Sequence, residues 1–413
     1  MNEKEDYFSK VPVWNSGSPK FEILSDPISG RIPVVKIEHW KDIIDILESD
    51  FFNQSNSQWI YRGHRRFDWN LIPTLGRLST AGIVTNDLAL KQINLFRQTI
   101  RGRVSDHSLL LDDTQIEELW SVGQHHGLHT PLLDWTYSPY VALFFAFHKE
   151  DPDEEEENPY RSIYILNKTF VDTNESFEEV RIFEPRKDDH GRLVSQAGLF
   201  IFTPTDATLE NKITNILSDP EFPDNELVNA AEDVEANIVA KYICKIYIKN
   251  EDQTNCLKHL RRMNVHHASL FPDLIGAADY CNTLITEQEL DRLVSLTPVE
   301  VEEKDTPQKE QDQTDHQEIK VGDITSIMEI LTTSDISKEV EPGRIQLIAE
   351  ELSKGLEKNK LVDWEQRESV QARLRNKTRV LLRKYGYPQK LREEVVNKVI
   401  EFELAQQEQN NDN

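Results

Sequence analysis

The chain has 413 residues, a length typical of two or three domains, and its 73 acidic and 47 basic residues give a formal net charge of −26. A surface of that sign repels phosphate backbones at long range, which argues against nonspecific DNA binding by the whole chain but leaves a local basic patch open. Cys244, Cys256 and Cys281 are too few and too scattered for a disulfide framework or a cysteine zinc site, which indicates a reducing compartment.

The N-terminal sequence MNEKEDYFSK lacks the apolar stretch of a signal peptide. No segment approaches the ~18 consecutive apolar residues of a membrane span. We therefore expect a cytoplasmic protein that does not contact a membrane.

Composition divides the chain into a large first domain and a smaller C-terminal one. Residues 31–296 mix strand and helix patterns, whereas residues 297–322 are charged, rich in glutamine and nearly free of large apolar side chains, which is typical of a flexible linker. Residues 323–405 have helical patterns and predict a separate small helical bundle. We expect residues 1–30 to be an N-terminal extension and residues 406–413 to be a disordered tail.

Strand-like and helix-like runs do not alternate regularly in the first domain, which favours the α+β class over a doubly wound sheet. No internal repeat or glycine-rich phosphate loop is present. The acidic run EDPDEEEENP is expected to be a solvated loop between two core elements. The predicted strands are 57–63, 161–167, 198–204 and 241–250, and the predicted helices are 39–49, 86–100 and 257–264.

The first polar motif lies in WIYRGHRRFDWNLIPTLGR, residues 59–77. Arg62 falls at the C-terminal end of the predicted strand, and Gly63 ends the strand and permits a tight turn or a close backbone approach. A guanidinium in this place is suited to a phosphate or a carboxylate. The alternative is a structural one, in which Arg62 bridges to a core carboxylate such as Asp134.

The second polar motif lies in QHHGLHTPLLDWTYSPYVALFFAF, residues 124–147. A short buried strand ends near Leu133, and a helix follows with Ser138 as its N-cap and Pro139 at its first position. The residues between them form the strand-to-helix junction.

Asp134, Trp135 and Thr136 occupy this junction, where backbone amides at the helix start attract anions. The threonine hydroxyl and the aromatic ring are suited to a ribose and a flat ring, although the polar side chains are equally suited to satisfying buried backbone groups. Without a carboxylate–cysteine pattern, the three histidines of the segment do not predict a metal site: His125, His126 and His129.

These motifs, together with RLVSQAGLFIFTP and SLFPDLIGAADY, occur in the order seen in FRG-domain proteins, which the chain resembles over roughly residues 30–285. The domain is named for an (F/Y)RG motif, here Tyr61-Arg62-Gly63. The family is in turn similar to the ADP-ribosyltransferases, so the resemblance implies a split β-sheet core and NAD as substrate, with no metal.

The resemblance assigns roles to individual residues. Arg62 matches the first-strand basic residue that holds NAD, and Thr136 falls at the middle motif. Gln196 stands where the family has a glutamate, so Asp134 becomes the next candidate donor of negative charge; Glu184 is a weaker substitute. The catalytic candidates are thus Arg62, Thr136, Gln196 and Asp134, and the expected NAD-binding residues are Tyr61, Arg62, Gly63, Gln124, His125, Trp135 and Thr136.

Three amphipathic helical patterns with short connections occupy residues 341–405. The segment LVDWEQRESVQARLRNKTRVLLRKYGYP resembles the C-terminal helical domain of type I restriction enzyme motor (R) subunits, a region linked to assembly with the methyltransferase core. The resemblance implies that residues 341–405 dock to type I restriction–modification subunits.

Two functions remain open at this point. The first is an NAD-consuming ADP-ribosyltransferase-like effector of bacterial anti-phage defence, associated with a type I restriction–modification complex and acting by transfer or hydrolysis. The second is a catalytically inactive nucleotide-binding sensor or adaptor that docks through its C-terminal bundle. Gln196 favours the second function, and the retained Arg62 and Asp134-Trp135-Thr136 favour the first. The acceptor of ADP-ribose is not predicted.

Overall fold

The chain divides into two compact units, the first formed by residues 1–150 and 158–298 and the second by residues 151–157 and 299–413. The predicted linker 297–322 lies outside the described residues. The computed structural model describes residues 3–24, 28–104, 106–152, 155–177, 180–186, 191–205, 207–219, 222, 224, 227, 229–295, 327–332, 345–346, 348–349, 352–353, 375, 378–379, 381–382, 387 and 389–411.

The first unit combines helices with a mixed eight-stranded sheet of order β1-β2-β8-β5-β3-β4-β7-β6. β2 and β8 pair in parallel, and every other neighbouring pair is antiparallel. The central strand β5 is buried along its whole length. The strands are β1 (Glu22–Ile23), β2 (Pro33–Ile37), β3 (Trp59–His64), β4 (Leu132–Thr136), β5 (Tyr160–Asn167), β6 (Ile182–Phe183), β7 (Gly198–Phe202) and β8 (Ile243–Lys249).

The described part of the first unit also contains α-helices between its strands. None of the described helices is long and apolar enough to cross a membrane. The helices are α1 (Glu3–Lys10), α2 (Ile43–Leu47), α3 (Asn86–Thr99), α4 (Ser108–Leu111), α5 (Ile116–His125), α6 (Pro139–Phe147), α7 (Lys168–Thr173), α8 (Arg192–Ser195), α9 (Leu209–Leu217), α10 (Glu232–Val239), α11 (Gln253–Arg262), α12 (His267–Leu270) and α13 (Leu274–Ser295).

Helix α6 lies directly across β3, and Gly63 makes this approach possible. A Cβ atom at Gly63 would lie 1.8 Å from the carbonyl oxygen of Ala142 and 2.9 Å from the amide nitrogen of Ala146. The helix begins as predicted, with Pro139 in its first turn and the Ser138 hydroxyl accepting from the Val141 amide at 3.4 Å. The glycine of the Tyr61-Arg62-Gly63 motif therefore has a packing role.

The strand and helix patterns of the first unit are largely confirmed, with one correction. Residues 134–136 are the last three residues of β4 and not a junction after it, because the ladder between β4 and β7 continues to Thr136. Within the predicted N-terminal extension, Tyr7 and Phe8 of α1 pack with Tyr160 and Tyr247 in an apolar cluster.

The second unit has an apolar cluster of its own. The first amphipathic pattern in residues 341–405 predicts that Ile345, Ile348 and Leu352 share a face, and these three are buried in the cluster together with Leu381 of the second pattern. The other residues of these two predicted faces lie outside the described residues: Leu356, Val370, Leu374 and Tyr385. The third predicted helix is observed as α14 (Gln389–Asn411). It includes residues 406–411 of the predicted tail, where glutamine and glutamate, both good helix formers, occupy four of the six positions.

Candidate functional site

A cavity of about 420 Å³ opens in the first unit where β3 and β4 separate. Tyr61 and Thr136 form the one register pair between these two strands, which are described throughout. On the β3 side, the chain beyond Tyr61 has no backbone partner on β4. The cavity lining includes all the candidate site residues named from the sequence: Tyr61, Arg62, Gly63, Gln124, His125, Asp134, Trp135, Thr136 and Gln196.

Arg62 bridges the opening between the two strands. Its Nη1 donates to the backbone oxygen of Asp134 at 2.5 Å and lies 3.6 Å from the carboxylate of the same residue. Its Nε donates to Nε2 of His64 at 3.0 Å. The side chain is 15% exposed, so the guanidinium is largely desolvated and held in one orientation by these partners.

His64 serves as a neutral acceptor for Arg62. Burial, followed by repulsion from the Arg62 and Lys245 cations, lowers its pKa well below 6.5. Because Nε2 accepts from Arg62, Nδ1 carries the proton and donates to the carbonyl of Trp69 at 3.3 Å. The imidazole thus links the arginine to the loop that follows β3.

Asp134 presents a carboxylate to the cavity. Its side chain is 63% exposed, and Oδ1 accepts from Nε2 of Gln124 at 2.9 Å. The other end of the Gln124 amide accepts from the hydroxyl of Thr130. Gln124 therefore fixes the carboxylate from the last turn of α5. The contact between Arg62 and Asp134 matches the structural alternative for Arg62, and binding of a ligand by its guanidinium stays a prediction.

Thr136 and Gln196 lie together, and the side chain of each donates a hydrogen bond to a backbone oxygen. The Thr136 hydroxyl donates to the backbone oxygen of Gln196 at 2.6 Å and accepts from the Ser138 amide at 3.0 Å. The Gln196 side-chain nitrogen donates to the carbonyl of Leu270 at 2.9 Å. The threonine proton is therefore committed to the backbone, as the structural alternative for this residue required.

Two family models match separate parts of the chain. Residues 57–155 match the FRG domain model, so this segment is similar to FRG domains. Residues 257–409 match the model described as type I restriction enzyme HindI endonuclease subunit-like, C-terminal. No curated protein and no solved structure matches the chain.

The two matched segments do not include the whole cavity. Arg62, Asp134 and Thr136 belong to the matched FRG segment, whereas Gln196 lies between the two matches. The restriction-like match begins at residue 257 and therefore includes Leu270, which accepts the Gln196 amide. The segment predicted from the sequence to resemble restriction enzymes lies later in the chain, within residues 341–405.

The FRG cavity is cationic although the chain is strongly acidic. Its lining, all of it in the described part of the chain, contains one carboxylate, that of Asp134, against five Lys or Arg residues. A cavity with this charge and volume is suited to a small anionic ligand. The basic lining residues are Arg62, Arg65, Arg77, Lys149 and Arg192.

Four of these cations, and the lining tryptophan Trp69, were not predicted as site residues. Arg65, Trp69 and Arg77 follow the (F/Y)RG motif within residues 59–77, so the interleaved basic and aromatic sequence was the available indication. Trp135, in contrast, is 2% exposed and packs with Leu133 and Leu199 in the core. Its ring is buried in this core cluster, and the NAD-binding role expected for Trp135 stays a prediction.

Glu184 is not part of the cavity lining. It accepts from the Tyr137 hydroxyl at 2.5 Å and lies 3.5 Å from Nζ of Lys168. It therefore does not replace the missing glutamate.

His125 and His126 make an edge contact with each other at 5.1 Å. Among the described residues, no group of three or more His, Cys, Asp or Glu is arranged to hold a metal ion.

Proposed function

We propose that the FRG domain binds NAD in the cavity between β3 and β4 and cleaves its nicotinamide–ribose bond, as an ADP-ribosyltransferase-like effector in bacterial anti-phage defence. The observation that carries the proposal is the juxtaposition of a desolvated arginine, Arg62, with a solvent-facing carboxylate, Asp134, in a cationic cavity of an acidic protein. The cations suit a pyrophosphate, and the carboxylate suits the positive charge that develops on the ribose.

The chemistry assigns one step to each group. The bond between C1′ of the ribose and N1 of the nicotinamide breaks, its electron pair leaves with the neutral nicotinamide, and C1′ becomes oxocarbenium-like. The Asp134 carboxylate stabilises that charge, while Arg62 holds the phosphates. Water or an acceptor side chain then donates an electron pair to C1′ and loses a proton to solvent, which gives hydrolysis or transfer.

A second candidate function is nucleotide binding without cleavage, in a sensor or adaptor. The observation that favours it is the commitment of Thr136 and Gln196 to backbone partners, because neither side chain supplies the charge of the glutamate in the related enzymes. Under this alternative Asp134 positions Arg62 and takes no part in a reaction.

Release of nicotinamide from NAD by the purified full-length chain distinguishes the two functions. We expect Asp134→Asn to retain NAD affinity within a few fold and to lower nicotinamide release about 100-fold, the scale on which one electrostatic stabiliser contributes. The matched control is Asp113→Asn, since Asp113 is exposed and pairs with Arg97 outside the cavity lining. Binding without any release would establish the sensor and reject the enzyme.

The restriction-like match supports the second part of the proposal, which is that residues 341–405 form a bundle that docks to type I restriction–modification subunits. Affinity purification of the full chain and of a chain ending at residue 298 from the same host provides the test. Type I methyltransferase or specificity subunits should accompany the full chain alone. Equal recovery with both chains, or recovery with neither, would reject docking through this region.

A further inference from the structure

Trp69 is an exposed tryptophan inside a well-formed cavity. It is 40% exposed and lines the cavity, whereas the other lining tryptophan, Trp135, is 2% exposed. Exposing an indole ring forgoes burial free energy that a core position would provide. The position is therefore explained better by a ligand than by packing.

The backbone of Trp69 is held by three buried donors. Its carbonyl oxygen accepts from Nδ1 of His64 at 3.3 Å, from the hydroxyl of Tyr164 at 3.0 Å and from Nζ of Lys245 at 3.2 Å. Lys245 is 0% exposed and also donates to the carbonyl of Phe67 at 2.6 Å. Burying an ammonium group is costly unless its hydrogen bonds are satisfied, so much of the polar core here serves to fix this loop.

Arg65 supports the indole ring. The centre of its guanidinium lies 5.2 Å from the ring centroid of Trp69, and the residue is buried apart from 8% of its surface. A cation over an aromatic ring restrains the ring and places positive charge beside any group that stacks on it. Trp69 is thus a rigid, exposed platform with a cation next to it.

The indole ring of Trp69 lies beside His64, with ring centroids 6.0 Å apart, whereas Asp134 lies beside Nη1 of Arg62. Nη1 of Arg62 contacts Asp134, whereas Nε contacts His64, whose other nitrogen contacts the carbonyl of Trp69. A dinucleotide whose reacting ribose faces Asp134 and whose pyrophosphate crosses Arg62 would carry its far base toward Trp69. In NAD that far base is adenine.

We propose that Trp69 is the stacking platform for the adenine of NAD and that the site selects adenine nucleotides with a diphosphate. This inference deepens the proposed function and rests on it for the orientation of the ligand. Base stacking on an aromatic side chain provides affinity through its area and its π-face, and Arg77, which is exposed in the same lining, adds a cation for the phosphates. Tyr164 and Lys245 act as positioning residues for the platform.

Calorimetric titration of the full chain and its Trp69→Leu and Trp69→Phe variants with NAD, ADP-ribose and nicotinamide mononucleotide tests this assignment. We expect Trp69→Leu to weaken NAD and ADP-ribose roughly 5- to 150-fold, which is the range for stacking one base. Trp69→Phe should restore most of that affinity. Nicotinamide mononucleotide, which has no adenine, should bind all three proteins equally, and circular dichroism should confirm that each is folded.

The outcomes separate the two proposals. Suppose that the wild-type chain binds ADP-ribose but releases no nicotinamide from NAD, and that Trp69→Leu does not bind ADP-ribose. The platform then stands and NAD cleavage is rejected. If Trp69→Leu binds ADP-ribose as tightly as the wild-type chain does, the platform is rejected while NAD cleavage is unaffected. A larger loss of nicotinamide mononucleotide than of ADP-ribose would place the other base on Trp69 and overturn the orientation. A wild-type chain that binds none of the three would reject both proposals.

Discussion

Two walls of the FRG cavity are built in different ways. The β3 wall, residues 62–69, is tied to buried side chains of the central strands, namely Tyr164 of β5 and Lys245 of β8. The α8 wall, residues 192–197, consists of a four-residue helix followed by Gln196 and Ala197. The first wall resembles a recognition surface whose geometry is fixed before a ligand arrives, which lowers the entropic cost of binding.

The α8 wall depends on a few contacts at its ends. Arg192 pairs with Asp273 at 2.5 Å, and Gln196 donates to Leu270 at 2.9 Å. Ala197 adopts a left-handed backbone with φ of 45°, which costs an alanine about 1 kcal/mol. Strain beside a cavity is typical of functional sites, because the surrounding structure must hold the residue in place. On the proposed function, we therefore expect the β3 wall to recognise the ligand and the α8 wall to influence the chemistry.

The largest expected effect is the loss of ligand binding when the arginine of the β3 wall is removed. Arg62→Ala should weaken NAD binding by about 2–5 kcal/mol, because it deletes a desolvated partner of the phosphates and leaves the Asp134 carbonyl without its donor. Calorimetric titration measures the change. Arg181→Ala is the matched control, since Arg181 pairs with Glu117 away from the cavity lining. Equal affinity of Arg62→Ala and the wild-type chain would contradict the assignment of recognition to this wall.

The second prediction concerns the stability of the β3 wall. Gly63→Ala should lower the free energy of unfolding by about 3 kcal/mol, because the new methyl group would overlap the Ala142 carbonyl and force α6 away from β3. Denaturant titration of the full chain measures this change. Gly17→Ala is the matched control, since its nearest neighbour would be a side-chain atom at 3.5 Å. A Gly63→Ala chain as stable as the control would show that the helix–strand approach yields without cost.

Local sequence patterns predicted the elements of this site better than they predicted its surfaces. Strand propensity and the Ser138-Pro139 start defined β3 and α6, because these depend on neighbouring residues. The environment of Trp135 follows from strand alternation: Leu133 and Trp135 both enter the core cluster. The predicted strand ended near Leu133, so this alternation was not applied to Trp135, and its ring was expected to contact a ligand.

The separation of β3 from β4 was not available from the sequence by physical reasoning alone, because strand pairing joins residues far apart in the chain. The same holds for Trp69, whose exposure depends on a lysine 176 positions away. Lys245 lies in the predicted strand 241–250, where a lysine is expected on the solvent face. Its full burial depends on contacts with distant residues and was not indicated by the sequence.

The third prediction is a pH dependence of stability that originates in the β3 wall. Burial keeps His64 neutral in the folded protein because its pKa lies well below 6.5, whereas the unfolded chain binds a proton below pH 6.5. Stability from this residue is therefore complete above pH 6.5 and falls by about 1.4 kcal/mol for each pH unit below it, until the folded pKa is reached.

Denaturant titration at pH 7.5 and pH 5.5 isolates this contribution when the wild-type chain is compared with His64→Gln. The glutamine oxygen can still accept from Arg62, but the side chain does not titrate. The wild-type chain should lose about 1.4 kcal/mol more than the variant between the two pH values. Equal losses would show that His64 of the folded protein binds a proton between pH 7.5 and pH 5.5, as the unfolded chain does. At pH 5.5 the β3 wall would then lack the neutral acceptor that orients Arg62.

The smallest expected effect tests the α8 wall. Gln196→Glu introduces the charge that the resemblance to ADP-ribosyltransferases implies at this place, and it should raise nicotinamide release about 10-fold if the carboxylate turns to the cavity. The same change removes the donor to the Leu270 carbonyl and should lower the free energy of unfolding by about 1 kcal/mol. Gln196→Ala is the matched variant, because it removes the same donor without adding charge. If Gln196→Glu lowers nicotinamide release and Gln196→Ala abolishes it, the amide is itself the working group, and the α8 wall acts by hydrogen bonding to the ligand with no need for a negative charge.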